Sequence, residues 1–146
     1  MITVILADDH AILRDGLRYL LEAAGDIKII SMAGNGQEAV EQARLHCPDV
    51  IVMDISMPVM SGIEATKHIC KICEHTKVAI LSMHHTTEYI QRALEAGAVG
   101  YLLKDSAGSE LVAAIRALND GKRYISKGVS KTFGNSELLW GGKHIN

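Results

Sequence analysis

The feature of this chain that most limits what it can fold into is an alternation of two apolar periods. Short β-branched runs are separated by longer stretches whose apolar residues return every three or four positions. An unbroken apolar run reads as a strand buried on both faces, and the helical stretches between such runs are the elements that can bury it. The alternation therefore predicts a parallel sheet with helices packed on both sides.

Ile2 to Ala7 opens the pattern as a strand. Ile12, Leu13, Leu17, Leu20, Leu21 and Ala24 then fall on one helical stripe beside polar Arg14, Asp15, Arg18 and Glu22. Gly25-Asp26 breaks this helix, and Ile27 to Met32 predicts a second strand. Asn35, with Glu38 three residues on, has the spacing of a capping box, and Pro48 ends the helix it opens. Asp49 to Met53 is the third strand, and Ser61 with Glu64 repeats the box to start a helix running to about Cys73. Lys77 to Ser82, a helix over about Thr86–Ala96 stopped by Gly97, Val99 to Leu103, and a last helix bearing Leu111, Val112, Ile115 and Leu118 complete the series. Five strand–helix units predict an α/β fold, a three-layer doubly wound (βα)5 sandwich, over residues 1–125. Residues 126–146 have no clear period and read as a linker or partly ordered tail.

Composition narrows the function. The 146 residues carry 15 Lys+Arg against 17 Asp+Glu, a net charge of −2, so there is no basic surplus to neutralise a nucleic-acid backbone. No apolar run approaches a membrane span, and the first residues lack the flanks of a signal peptide, so a cytoplasmic location and no membrane partner are expected. Three cysteines without framework spacing point to a reducing compartment rather than a disulfide-stapled fold. Cys70 and Cys73 form a C-x-x-C beside His68 and His75, but it lies late in a helix with no second pair and reads as packing.

In an open parallel sheet, ligands bind beyond the carboxyl ends of the strands. Those ends here carry Asp8-Asp9, Asp54, Ser82 and Lys104. With strands one and three adjacent, as in the order 2-1-3-4-5, three carboxylates converge and repel unless a cation sits among them. Oxygen-only ligands suit Mg²⁺. Lys104 adds a fixed positive charge for a phosphoryl oxygen, and the Ser82 hydroxyl adds a donor. Asp54, alone at its strand end, is the carboxylate best placed to act as a nucleophile and form an aspartyl phosphate.

These residues carry a resemblance. LADDH, DVIVMDISMPVMSGIEA, ILSMH and ALEAGAVGYLLKD, in that order and at those strand ends, resemble the response-regulator receiver domain, most closely its NarL/FixJ (LuxR-type) branch. The resemblance implies a flavodoxin-like five-stranded sheet of order 2-1-3-4-5 and phosphoryl transfer from a histidine kinase to Asp54. It implies Asp9 and Asp54 as direct Mg²⁺ ligands, Asp8 as a mainly water-mediated one, and a further ligand in the Ser56 main-chain carbonyl. Ser82 and Lys104 would contact the phosphoryl group, and Tyr101 would be the aromatic switch, remodelling the face made by helix four, strand five and helix five. Many receivers place a proline after the active-site lysine. Asp105 stands there here, so a trans Lys104–Asp105 bond is expected. Full regulators of this branch also carry a DNA-binding helix-turn-helix module, for which residues 126–146 leave no room. The chain then reads as the receiver part of a transcription factor or as a single-domain regulator.

The stripe Tyr89, Ile90, Ala93 and Leu94 on helix four is expected to stay partly exposed for a partner, such as a second copy of the phosphorylated chain. Two other classes fit less well. A phosphatase turning over through an aspartyl phosphate needs an acid two residues after its nucleophile, where this chain has Ser56. A flavin carrier needs a polar phosphate loop after strand one, where this chain has Asp8-Asp9-His10. A regulatory phosphoacceptor rather than an enzyme is the reading that remains.

Overall fold

The computed structural model describes residues 1–84 and 86–129. Strands β1 (Ile2–Ala7), β2 (Ile27–Ala33), β3 (Val50–Asp54), β4 (Lys77–Ser82), β5 (Gly100–Leu103) and β6 (Tyr124–Ile125) form one parallel sheet in the order β2-β1-β3-β4-β5-β6. Helices α1 (Ala11–Ala23) and α5 (Ala107–Asn119) cover one face; α2 (Gly36–His46), α3 (Gly62–Ile72) and α4 (Thr87–Ala96) cover the other. The doubly wound α/β sandwich expected from the alternation is the fold observed.

Alternation along β1 shows how the sequence builds two cores. Ile5 and Ala7 point toward α2 and α3, while Val4 and Leu6 point toward α1 and α5, and all four are buried. Burying each large aliphatic side chain contributes roughly 1.5–3 kcal/mol. Both sequence caps operate: the Asn35 side chain accepts from the Glu38 amide at 2.9 Å, and Ser61 accepts from Glu64 at 3.2 Å. The Glu38 carboxylate reaches back to the Gly34 amide instead of that of Asn35, one residue beyond the expected box. Gly97 ends α4 at φ +115°, a conformation that strains any residue with a Cβ.

The sheet corrects the five-stranded expectation. Tyr124 and Ile125 pair with Gly100 and Tyr101 as a sixth strand, too short to register as a period. The packed body also continues past residue 125: Ser126 and Val129 are fully buried. The remainder of the expected tail, residues 130–146, lies outside the described residues. A buried carboxylate holds this segment. Glu110 of α5 accepts from the hydroxyls of Ser126, Ser106 (2.8 Å) and Tyr124 (2.9 Å) and from the Lys127 amide (3.2 Å). Burial alone would push its carboxyl up; the three hydroxyls and the amide outweigh that and hold it below the usual glutamate range.

The cysteine expectation is also corrected, because Cys47 and Cys73 are joined in a disulfide, whereas Cys70 is free. Position in sequence concealed this pair: the two residues follow different helices and meet only because α2 and α3 pack side by side.

Glu110→Ala leaves three hydroxyls and an amide without their shared acceptor, and denaturant unfolding should show a loss of about 2 kcal/mol. Glu110→Gln separates charge from shape. Because the folded carboxyl lies below the ordinary value of 4.5, the wild-type advantage over Gln should be full above that pH and shrink as pH falls below it.

Candidate functional site

The carboxyl ends of β1, β3 and β5 bring Asp8, Asp9, Asp54 and Lys104 together. Asp54 is the last residue of β3, in register with Leu81 of β4, and its carboxylate is 1% exposed. Gly62, at the start of α3, packs directly on the Asp54 carbonyl, where a Cβ would occupy the same space. The helix can therefore close over the strand end only with glycine at that position.

Lys104 Nζ lies 3.1 Å from Asp54 Oδ2 and 3.4 Å from Asp8 Oδ2. Burial pushes the Asp54 carboxyl up to about 6; Lys104 opposes this, the Asp8 charge adds to it, and a hydrogen bond from the Ser56 amide to Oδ1 at 3.2 Å opposes it weakly. One ammonium thus serves two carboxylates. Apart from this shared ammonium, the buried Oδ2 atoms of Asp8 and Asp54 have no hydrogen-bond partner, an arrangement with spare acceptor capacity directed at one point. Candidate ligand atoms of Asp8, Asp9, His10 and Asp54 all lie within 4.8 Å of one another, a set compatible with a divalent cation.

Sequence reasoning gave no role to two neighbours. His10 Nδ1 lies 3.1 Å from Asp8 Oδ1, 3.3 Å from Asp9 Oδ1 and 3.4 Å from Lys104 Nζ, so the imidazole stands at the mouth of the cluster. Arg14, placed by its period on the polar face of α1, donates from Nη1 to the carbonyls of Asp8 (2.9 Å) and Ala33 (3.3 Å), tying the backbone behind the acids to β2. The His10 signal was present in LADDH. The Arg14 contact depends on β1 and β2 being neighbours, which no local pattern gives.

Ser82 and Tyr101 form an adjoining group. The Ser82 hydroxyl accepts from the His84 amide at 2.9 Å, and Tyr101, fully buried, donates its hydroxyl to the His84 carbonyl at 2.7 Å. Burial pushes the Tyr101 phenol up. His84 stacks on Tyr89 with ring centres 4.1 Å apart. Most of the α4 stripe is not a free surface: Ile90, Ala93 and Leu94 are buried in the core, and only Tyr89, half-buried against His84, keeps part of the stripe exposed. The exposed part is narrow because Ile90, Ala93 and Leu94 pack into the core and α4 lies against α3. No cis peptide bond occurs among the described residues, as expected for Lys104–Asp105, and Lys104–Ser106 form a 3-10 turn leading into α5. No helix among the described residues is long and apolar enough to cross a membrane.

Comparison with known proteins agrees with this geometry. Residues 4–116 match the response regulator receiver domain. The chain is 38% identical over 138 residues to the response regulator UvrY of Escherichia coli, covering 94% of this chain and 63% of that protein. It is 43% identical over 137 residues to the uncharacterized transcriptional regulatory protein YxjL of Bacillus subtilis, covering 90% and 63%. This chain thus spans less than two thirds of either relative. Among solved structures, a LuxR-family two-component response regulator from Aurantimonas superposes with a TM-score of 0.86 at 33% identity, covering 100% of this chain and 99% of that one.

Asp54→Asn should stabilise the protein in chelator by on the order of 2 kcal/mol at neutral pH. The sign follows from the raised carboxyl: between its ordinary 3.8 and about 6 the folded state binds more protons than the unfolded state, so wild-type stability falls as pH rises through that window. Thermal melts of both proteins should converge below about pH 4 and separate above pH 6. A mutant melting below wild type at pH 7 would contradict this.

Proposed function

This chain belongs to the response regulator receiver domain family, on its LuxR/NarL-type branch, and we propose that it takes a phosphoryl group onto Asp54 from the phosphohistidine of a partner histidine kinase. It is the receiver domain of a two-component response regulator, and its role is regulatory rather than that of a turnover enzyme. The observation that carries the proposal is the Lys104 ammonium shared between the buried Oδ2 atoms of Asp54 and Asp8. Such an arrangement holds a nucleophile ionised but loosely paired, so that its cation can follow the charge when that charge moves.

In the step proposed, an Asp54 carboxylate oxygen attacks phosphorus in line, the P–N bond to the kinase imidazole breaks, and the leaving imidazole keeps the electron pair of that bond. Lys104 then pairs with a phosphoryl oxygen, the Ser82 hydroxyl donates to another, and the Ser56 amide sits close enough to steady the carboxyl. Asp8, Asp9 and Asp54, with the Ser56 main-chain carbonyl, would hold Mg²⁺, which neutralises charge on the phosphoryl oxygens when bound. Ser82 Oγ now accepts from the His84 amide, so a turn of the Ser82 side chain toward the phosphoryl group would carry that oxygen away from the amide, and His84 is also the acceptor for Tyr101. That shared residue is the path by which phosphorylation would reach Tyr101 and the α4–β5–α5 face. The relatives' names place them among response and transcriptional regulators. We read residues 1–125, with the packed residues that follow, as the cytoplasmic receiver part of a DNA-binding transcription regulator, DNA being contacted by a helix-turn-helix module outside this chain.

Intact mass after incubation with a small phosphodonor should show one added phosphoryl group that needs both Mg²⁺ and Asp54. Lys104→Ala should slow the addition on the order of 100-fold. A folded wild type that gains no phosphoryl group, or an Asp54→Asn protein that gains one as fast, would overturn the assignment.

A further inference from the structure

At the amino-terminal edge of the sheet, opposite the acidic cluster, Cys47 terminates α2 and Cys73 terminates α3. Their Cα atoms are 5.5 Å apart and a disulfide joins them. Three further observations bear on what this pair does. First, Cys47 is one of only two non-glycine residues with positive φ among those described, at φ +36° in the left-handed region. Helix ends in this conformation ordinarily carry glycine or asparagine, because a Cβ is crowded there. A cysteine at this position is kept at a conformational cost. Second, the partners differ in access: Cys47 is exposed and Cys73 is 3% exposed, so an incoming thiol meets the Cys47 sulfur first. Third, Cys73 Sγ also lies 3.2 Å from the Ala43 carbonyl. That oxygen already accepts from the Cys47 amide at 2.7 Å, and it offers the buried thiol an acceptor when the disulfide is open. The site therefore satisfies both the oxidised and the reduced state without rebuilding its surroundings.

We propose that Cys47–Cys73 is a reversible thiol–disulfide site that staples α2 to α3 when oxidised and is opened by small thiols or a dithiol reductant. A thiolate attacks Cys47 Sγ, forming a mixed disulfide and releasing the Cys73 thiolate, which takes a proton from water. A second thiolate then attacks the reductant's own sulfur in that mixed disulfide and releases Cys47, which is protonated in turn. Two thiols are oxidised to one external disulfide, and the protein gains two electrons and two protons. Oxidation by an external disulfide is the reverse. Cys70 takes no part: burial raises its thiol, and its sulfur faces the Gly97 carbonyl at 3.8 Å. At the other edge α2 and α3 remain connected through the Gly36 amide and the Met60 carbonyl, 3.1 Å apart, beside the loop that follows Asp54. Opening the staple therefore loosens one end of the helix pair and leaves the Asp54 end in place. The inference does not depend on the phosphoacceptor reading.

The test uses the whole chain equilibrated in glutathione–glutathione disulfide mixtures of stepped ratio, approached from both the oxidised and the reduced side, then acid-quenched, alkylated and mapped by peptide mass. The expected result is that Cys47 and Cys73 lose and regain reactivity together with one midpoint while Cys70 stays a thiol throughout. Closing a loop across 26 residues of sequence should raise the melting temperature by roughly 10 °C in the oxidised form. Cys47→Gly supplies the control: it should abolish that redox-dependent difference and melt at or above reduced wild type, since glycine takes the left-handed conformation freely. The proposal is overturned by three free thiols at every ratio, by a pair that excess thiol fails to open in the folded protein, by a disulfide that includes Cys70, or by Cys47→Gly melting below reduced wild type.

Discussion

Asp54 and Asp8 each turn an oxygen toward Lys104, at 3.1 and 3.4 Å, from positions nearly closed to solvent. Two carboxylates share one ammonium there, and the Asp54 carboxyl is pushed up to about 6. Burial contributes most to it, and burial is a property of the whole fold: β3 is the middle of the sheet, flanked by β1 and β4, and Gly62 lets α3 close against it. The unbroken apolar run that makes β3 a central strand is therefore also what raises the energy of the charge at its end. Stability is given up at this point, as functional sites commonly require.

Residues gathered where the chain itself places them could be read in advance. Asp8, Asp9, Asp54, Ser82 and Lys104 all stand at strand ends, and in a parallel sheet every strand end lies on one edge, so identifying the strands was enough to gather the residues. The caps at Asn35 and Ser61 were readable for the same reason, since each bond spans three residues. What escaped were contacts made by neighbours in space. Arg14 joins β1 to β2, Glu110 joins α5 to Ser126, and Cys47 joins α2 to α3. None of these leaves a period. β6 is a related case, because two residues are too few to alternate and its pairing with β5 is supported from outside by the Glu110 carboxylate.

The α4 stripe shows a limit of amphipathic patterns. Tyr89, Ile90, Ala93 and Leu94 make a broad stripe, but breadth alone does not distinguish an exposed face from one shared by two packing partners. Here the stripe is used up by the sheet and α3, and Tyr89 is turned onto His84. The consequence is mechanical. Because α4 has little apolar surface to spare, a change on this face must come from rearranging contacts it already makes.

On the proposed reading, such a rearrangement would begin at His84. Its amide bonds to the Ser82 hydroxyl, its carbonyl holds the Tyr101 hydroxyl, and its ring lies on Tyr89. One residue thus joins the strand end nearest the acidic cluster to a buried aromatic of β5 and to the first turn of α4. Turning the Ser82 side chain toward a new anion would carry its oxygen away from the His84 amide, and freeing that amide would loosen the peptide whose carbonyl anchors Tyr101. No long-range wire is needed, because the three contacts share a single backbone segment. Packed interiors respond to such a change by moving between discrete arrangements rather than by gradual deformation. On the proposed reading, a local charge event at a strand end would reach α4 through the hydrogen bonds that His84 makes in this structure.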